Sequence, residues 1–600
     1  MKLNEEKREA ETNAVAETNA PDFLSRYAVA LCALLLALMA LQMLSVIRRK
    51  SITVDEWVLI PAGYFHLTAR DYRPVQEHPP FAKTIAAAPL LLTGTQSPSI
   101  DDAPHEYGYF LNKFQDFWDA NAGQFEYLSF WARVPMIAVA LLLGALIFVF
   151  ARRYWGARAA VFAVALYTLE PTILAHGRVV QTDIPSALAL LVFSFALYEY
   201  LKAPGSRRAA YVGFAAGFAA VTKFSMIALG PLLCVVFAAL LFDAKRRGLK
   251  RGRVAGHACA LALAAVFTVN AGYFFKHATP ESLDHALARS VVPVRVGEGA
   301  LHAPLAVGYY ALQTIFPSDF VLGVGWQLGH AAKGHPAGLL GQYSRHGWWY
   351  YFPVAFALKT PLPVLLLILA GVAWAALRLG RKCEGRLLVL ILPPALFTCL
   401  LMLSTIDIGV RYLLPAYPFL FILAGAMLDN LLRRQRAHGR ARATALTTVL
   451  VAASFCWVAF ESARAYPDHM TYMNQLASRA PHWWYLSDSN VEWGDDVRDL
   501  ALYLRARGEN EVGAALLNWQ LLDMYGVEQT AIFVPPGEER EETRYVAIGA
   551  SLLNGSTVPG DFDDGTQLTE EERVNYFDEY RRRTPEKIFG GSIYLYRMKE

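Results

Sequence analysis

The sequence has 600 residues, 55% of them hydrophobic, and its apolar residues come in runs of roughly 20 rather than in amphipathic stripes, which excludes a single soluble domain. The formal net charge is only +4, and the basic residues sit in short clusters between the apolar runs. No continuous positive field exists, so nucleic acid is excluded as a partner. Cys32, Cys234, Cys259, Cys399 and Cys456 lie inside apolar runs and Cys383 lies in a basic loop. That leaves no disulfide or CxxC framework, a usage that suits a bacterial inner membrane.

Residues 1–26 read as a disordered cytoplasmic leader. The apolar run at 27–47 is longer than a signal-peptide core and lacks a small-residue cleavage site, which makes it a retained first helix. Further spans are expected at 130–150, 158–175, 184–201, 209–242, 254–275, 353–377, 387–404, 413–432 and 443–463. As one helix, 209–242 would be about 50 Å long against a hydrocarbon core of about 30 Å, so it divides near Thr222 and Lys223. The basic clusters at Arg207/Arg208, 245–253, 152–158, 378–386 and 433–442 then share one side, the cytoplasmic one by the positive-inside rule. Arg48, Arg49 and Lys50 break that rule and are outvoted. Apart from a few exceptions such as Glu170 and Lys359, the spans carry hardly any ionisable residues, which argues against a proton relay.

The expected fold is an all-α polytopic membrane bundle of about eleven transmembrane helices. It occupies 27–463, with a long first outer loop at 51–129 and a second at 276–352. After residue 464 the pattern changes. Strand-like runs at 513–517, 545–550 and 592–596 alternate with helical patterns at 495–507 and 570–583, predicting a small C-terminal α/β soluble domain at 464–600 on the periplasmic side.

Polar residues with chemical potential gather in the outer segments. In Thr53-Val54-Asp55-Glu56-Trp57 the adjacent carboxylates diverge by about 100° in a helix or about 180° in a strand, so at most one faces a reacting group. Asp55 is assigned as that one, a general base; the alternative is an ordinary acidic pair at a helix start. In Glu77-His78-Pro79-Pro80-Phe81-Ala82-Lys83, Pro79 biases His78 toward extended backbone and Pro80 suits a first helical turn. Lys83 on that turn, with free amide donors, makes an anion site fit for a lipid phosphate, or else an interfacial lysine reaching for water. Asp183 begins a helix on the same side, where capping is its plainest duty. Arg133, Lys223 and Arg411 are cations at outer helix ends; singly they are interface anchors, and together they would line a pocket that neutralises a departing phosphate. His330, His335 and His346 match no standard metal-ligand spacing. The run Trp348-Trp349-Tyr350-Tyr351-Phe352 is either an interfacial belt or a sugar-stacking surface. Around Asp488 and Asn490, acceptor binding and loop or cap duties are equally good readings.

In this order, Asp55-Glu56, His78-Pro79-Pro80 with Lys83, Thr182-Asp183, Thr222-Lys223-Phe224-Ser225, Arg411-Tyr412-Leu413-Leu414-Pro415 and the 487–496 run Ser-Asp-Ser-Asn-Val-Glu-Trp-Gly-Asp-Asp resemble a known group. It is the C-type membrane glycosyltransferase superfamily, in particular bacterial relatives of the dolichyl-phosphate-mannose protein mannosyltransferases and of the lipid A aminoarabinose transferase. The resemblance covers most of the chain. It implies inverting transfer of a sugar from a polyprenyl-phosphate carrier to an acceptor hydroxyl on the outer face of the membrane. Asp55 would be the base, with Glu56 supporting it and Asp183 orienting acceptor or metal. Lys83 and Arg133 would hold the carrier phosphate, joined by His78, Lys223 and Arg411; Tyr412, Trp348, Asp488 and Asn490 would face substrate. A divalent metal is left open. So is the acceptor, whether protein, lipid or glycan, since 276–352 lacks the β-trefoil of the protein mannosyltransferases. Two other classes compete. A transporter or flippase of lipid-linked sugars would carry matched helix interruptions, and none is visible in the sequence; a catalytically inactive assembly subunit would share the fold.

Overall fold

The computed structural model describes residues 22–100, 107–243, 250–280, 282–284, 302–380, 385–562 and 565–598. Nearly all of the expected disordered leader lies outside them. The chain begins with α1 (Ala28–Ile47), then α2 (Val54–Thr68), α3 (Pro80–Ala87) and α4 (Tyr107–Ala120) in the first large loop, then α5 (Phe125–Trp155) and α6 (Ala157–Leu169). Next come α7 (Asp183–Lys202), α8 (Ser206–Thr222), α9 (Leu229–Phe242), α10 (Arg251–Gly272), α11 (His302–Ile315) and α12 (Ser318–Lys333). A short hairpin of β1 (Ala337–Leu339) and β2 (Gln342–Ser344) precedes α13 (Leu362–Leu379), α14 (Gly385–Met402), α15 (Tyr417–Ala437) and α16 (Ala441–Ala465).

Among the described residues nine helices are long and apolar enough to cross a membrane. These are α1, α5, α7, α10, α13, α14 and α16, together with α9 and α15 extended by the 3-10 turns before them. The shorter α6 and α8 stand at the other two expected spans. This is an integral membrane protein, a helical bundle that carries a small sheet domain.

Proline and one polar residue break the spans where hydropathy alone runs on. At Lys223 the backbone is extended (φ −158°, ψ 131°), which separates α8 from the turn leading into α9. Glu170 stands in extended backbone before Pro171 and accepts a hydrogen bond from Ile173 N at 2.9 Å, capping a new short helix, Pro171–His176. The expected span at 353–377 is likewise two helices. Pro361 forces Thr360 into extended backbone, so a helix Tyr351–Lys359 ends there and α13 restarts. At that break Lys359 Nζ donates to the carbonyls of Met470 and Asn490 at 2.6 and 2.7 Å. The two ionisable exceptions therefore serve interrupted backbone.

Ion pairs sort the helix ends. Arg158 binds Asp22 (2.5 Å) and Asp429 (2.6 Å), Arg433 shares Asp429, and Arg436 reaches Asp22. Arg158, Arg433 and Arg436, from two of the basic clusters expected on one side, thus meet at one end of the bundle, while 244–249 and 381–384 of two other clusters lie outside the described residues. The triplet Arg48-Arg49-Lys50 sits elsewhere, among partners of its own. Lys50 is buried among Asp468 (2.5 Å), Asp499 (2.8 Å) and Asp496, all beyond residue 464, while Arg49 lies over the Tyr466 ring and Arg48 over Phe130. Carboxylates of the C-terminal segment compensate the charge that follows α1.

That segment folds as α17 (Val497–Arg505) on a five-stranded sheet of order β4-β3-β5-β7-β6. Strand β3 (Glu511–Ala515) runs parallel to β4 (Glu528–Ala531) and β5 (Tyr545–Gly549); β7 (Ile593–Arg597) is antiparallel to β5 and to β6 (Lys587–Phe589). One apolar cluster joins Trp57 and Ile60 of α2 and Phe117 and Trp118 of α4 to Leu500, Val512 and Leu595. The sheet domain therefore packs directly on the first large loop.

Candidate functional site

Thr53 starts α2 with a capping box. Its hydroxyl accepts from Glu56 N at 3.4 Å, and the Glu56 carboxylate accepts from Thr53 N at 2.8 Å. This places Asp55 and Glu56 in one helical turn, pointing apart. Glu56 is fully buried and receives Arg133 bidentately (Nε to Oε1 2.8 Å, Nη2 to Oε2 2.5 Å) along with Val180 N at 2.9 Å. Arg133 also donates to the carbonyls of Lys50 and Ser51 at 3.0 and 2.7 Å. Arg133, expected at a carrier phosphate, is instead engaged by Glu56 and the Lys50 and Ser51 carbonyls, while Glu56 keeps the supporting place expected beside Asp55. Neither is open to a reactant; together they tie the α1–α2 corner to α5 and to the turn before α7.

Asp55 faces the other way. Its Oδ2 accepts from Arg411 Nη1 at 2.9 Å, and its side chain remains about a quarter exposed. The same Arg411 nitrogen lies 3.8 Å from Asp183 Oδ2, and Lys223 donates to Asp183 Oδ1. The Lys223 ammonium stands 4.0 Å from the Tyr412 ring centre, and the Arg411 guanidinium stands 4.3 Å from that of Trp493. Four distant segments, the starts of α2 and α7, the break before α9 and the turn before α15, thus meet in one array of two carboxylates and two cations. Asp183 Oδ2 and Arg411 Nε are buried without a hydrogen-bond partner. Orphaned polar atoms of this kind mark room for a ligand.

His78 is next to this array. Burial, reinforced by Lys83, Arg411 and Lys223, holds its imidazole down to about 3, so the ring is neutral at pH 7. Lys83 departs from expectation. It is buried, and its ammonium turns back to donate to the carbonyls of Val75 (2.7 Å) and Pro74 (3.4 Å), with burial pushing its pKa below the usual lysine value. Lys83 thus braces the loop that presents His78, with the Glu77 carboxylate as the main charge acting on it.

The expected substrate residues divide. Asp488, at positive φ (54°), accepts from Ser489 N at 2.6 Å and faces His335 Nε2 at 4.0 Å; burial raises its carboxyl to about 6 against the pull of Arg411. His335 continues to His330 at 3.3 Å, and burial keeps both imidazoles near 4. Asn490 is fully engaged within the protein. Its Oδ1 accepts from Val410 N, and its amide donates to Tyr351 Oη and to Ser487 O, which fixes the Arg411 turn instead of meeting substrate. Trp348 is partly buried, and its backbone N–H donates to Asp407 Oδ2 at 2.7 Å. Among the described residues no group of three or more His, Cys, Asp or Glu side chains is arranged to hold a metal ion.

One cavity opens on Asp55 of the array, and the lining of a second includes residues three and four positions after Lys223. The first, of about 370 Å³, is lined by Asp55, Glu77 and His78 on one wall and by Trp519, Gln520 and Gln115 on another. The second is an apolar groove of about 880 Å³ between α8, α9, α10, α11 and α12, whose lining includes Met226 and Ile227 just after Lys223. Sequence reasoning missed Trp493, which packs against Arg411, and the wall formed by Trp519 and Gln520. The Trp493 signal was present in the acidic run, whereas nothing local tied residues 519–520 to Asp55, more than four hundred positions away.

Two family profiles match the chain. Residues 125–271 match the family described as dolichyl-phosphate-mannose-protein mannosyltransferase, and residues 338–487 match the Alg9-like mannosyltransferase family. No curated protein matches. Among solved structures, ArnT from Cupriavidus metallidurans bound to undecaprenyl phosphate is similar at 15% identity, over 86% of this chain and 92% of that one, with a TM-score of 0.45. The Archaeoglobus fulgidus oligosaccharyltransferase in its apo form is similar at 12% identity over 85% and 65%, TM-score 0.45. Archaeal AglB from the same organism, in complex with an inhibitory peptide and a dolichol-phosphate, is similar at 13% identity over 86% and 61%, TM-score 0.44. By its two profile matches, the chain is similar to membrane mannosyltransferases of the C-type glycosyltransferase superfamily in two separate segments, each about a quarter of its length.

Proposed function

We propose that the protein transfers a sugar from a polyprenyl-phosphate carrier to an acceptor hydroxyl at the extracytoplasmic face of the membrane, with inversion and with Asp55 as general base. One observation carries the reading: the Asp55–Arg411–Asp183–Lys223 array, with orphaned atoms on Asp183 and Arg411, lies where an apolar groove follows Lys223 and a polar cavity opens on Asp55. The groove suits a prenyl chain. The cavity, within the usual size of small-molecule sites (about 300–1,000 Å³), suits an acceptor.

On this reading the carrier phosphate settles on Lys223 and Arg411, with His78 donating an N–H. Competition for Arg411 releases the Asp55 carboxylate. Asp55 then takes the proton of the acceptor hydroxyl as its oxygen bonds to the anomeric carbon. The bond from that carbon to the phosphate oxygen breaks on the opposite face, and its electron pair leaves with the carrier phosphate, which the two cations stabilise as charge develops. Glu56, Arg133 and Lys83 hold the geometry without touching the reactants. The 464–600 domain lies on the same side and closes the acceptor cavity with Trp519 and Gln520.

The test is Asp55→Asn in purified protein supplied with a radiolabelled polyprenyl-phosphate sugar. Transfer should fall by roughly 10²–10⁴-fold, the range of a lost general base, while carrier binding persists. Transfer at the unaltered rate would remove the mechanism.

A further inference from the structure

Between β3 and β4 the chain leaves the sheet at its switch point. Strand β3 has a parallel partner on each side, β4 next in the chain and β5 after it, and open α/β sheets take ligands beyond the carboxyl end of such a strand. Residues 516–520 occupy that place and are held from three directions. Leu517 N donates to Glu492 Oε1 at 2.9 Å, Leu522 N donates to Trp519 O at 2.9 Å, and Leu521 and Leu522 are fully buried. Asn518 Nδ2 donates to Ile52 O at 3.1 Å, which ties the loop to the corner that presents Asp55. Trp519 departs from this closure: it is 41% exposed and forms a wall of the cavity of about 370 Å³ that opens on Asp55. Beside it, Gln520 lines the same cavity, and its Oε1 is buried without a hydrogen-bond partner.

Glu77, with Asn112 and Gln115 of α4, completes the polar lining around Asp55. Three primary amides and two carboxyl groups therefore surround an uncovered indole. A sugar ring presents two kinds of surface, a C–H face and a rim of hydroxyls. The indole takes the first; amides, which both donate and accept, take the second together with carboxyl oxygens. A phosphorylated acceptor would instead meet the Asp55 charge, with no lysine or arginine among the described residues of the lining. Resting on the acceptor cavity of the proposed reaction, we infer that the acceptor is a neutral carbohydrate: its ring lies on Trp519, and its hydroxyls are read by Gln520 and the amides of α4. The bundle then supplies the chemistry, and the C-terminal domain chooses what is glycosylated.

The experiment is saturation-transfer NMR on the full-length protein in phosphatidylcholine nanodiscs, which avoid competition from sugar-headed detergents. The probes are maltotriose and mannotriose, glucose 6-phosphate, and an uncharged peptide rich in serine and threonine. At least one neutral trisaccharide should bind, and Trp519→Ala should weaken it about tenfold, the scale of one stacking contact, with an unchanged melting temperature. Gln520→Ala should weaken it about threefold to tenfold through the lost hydrogen bond. Trp484→Ala, at another exposed indole outside the cavity, should leave binding intact. No signal from either trisaccharide, or equal binding by wild type and Trp519→Ala, would overturn the site. Tighter binding of the phosphate sugar or of the peptide would overturn the neutral carbohydrate in favour of that class. No donor is present, so the result is independent of the base: unaltered transfer in Asp55→Asn would remove the mechanism and leave this site standing, whereas absent sugar binding with transfer lost in Asp55→Asn would do the reverse.

Discussion

Asp55 and Glu56 are neighbours in sequence with opposite surroundings, and the difference follows from one helical turn. Glu56 is closed in by Arg133 and two backbone amides, whereas Asp55 is held by a single arginine at the edge of a cavity. Removing one partner of the closed pair leaves a buried charge without compensation. Arg133→Met is therefore expected to destabilise the protein by about 3–5 kcal/mol, and the double variant with Glu56→Gln by less. Thermal melts of the two variants in the same detergent check this; equal melting temperatures for wild type and Arg133→Met would show that the pair is not structural. The adjacency of the carboxylates was legible in the sequence, as was the rule that only one can face a reactant. That Arg133 belongs to Glu56 and not to a phosphate was not, because the partners are 77 positions apart. Lys83 was misread for a related reason: its acceptors are carbonyls of a loop that folds back, and backbone leaves no mark in side-chain chemistry.

The spacing between helices matters as much as their ends. Gly63 brings α2 against α3 so closely that an added Cβ would fall 2.1 Å from the Lys83 carbonyl oxygen. Gly63→Ala should push α3 and its loop outward and cost about 1–3 kcal/mol, the usual scale of overpacking. A melting temperature equal to wild type would contradict so tight a contact. Between the array and the sheet, Glu492 accepts from Leu517 N and Ser551 N, both at 2.9 Å, and burial raises its carboxyl from 4.5 to about 8. The folded state thus binds this proton more tightly than the unfolded chain. Its contribution is full below about pH 4.5 and declines as pH rises toward about 8. Glu492→Gln should flatten that slope in melting temperature measured from pH 5 to 8; an unchanged slope would assign it to another group. The division of 209–242 was legible because length forbids one helix. Strands β4 and β6 were not legible, since Glu528–Ala531 and Lys587–Phe589 are edge strands with mostly exposed side chains and show no alternation of apolar and polar residues.

Across the whole molecule, the two ends have different charge economies. At one end Arg158, Arg433 and Arg436 meet Asp22 and Asp429. The other balances Asp55 and Asp183 against Arg411 and Lys223, and Lys50 against three aspartates. The sequence carried this division in its basic loops but not the compensation of Lys50, which depends on residues more than four hundred positions later. Replacing Asp468, Asp496 and Asp499 together by Asn should leave the membrane bundle in place and loosen the sheet domain from it. Limited proteolysis after Arg464 would then cut faster than in wild type, and unaltered cleavage would mean that the apolar contacts of α17 suffice to hold the domain.

The partners of Lys50 also impose an order on synthesis. When α1 emerges from the ribosome Lys50 has none of its three aspartate partners, and the last of them arrives only after nearly five hundred residues have been made. For most of translation Lys50 therefore lacks the carboxylates that surround it in the folded protein. The charge balance at the end of the first helix is thus completed by a part of the chain made late.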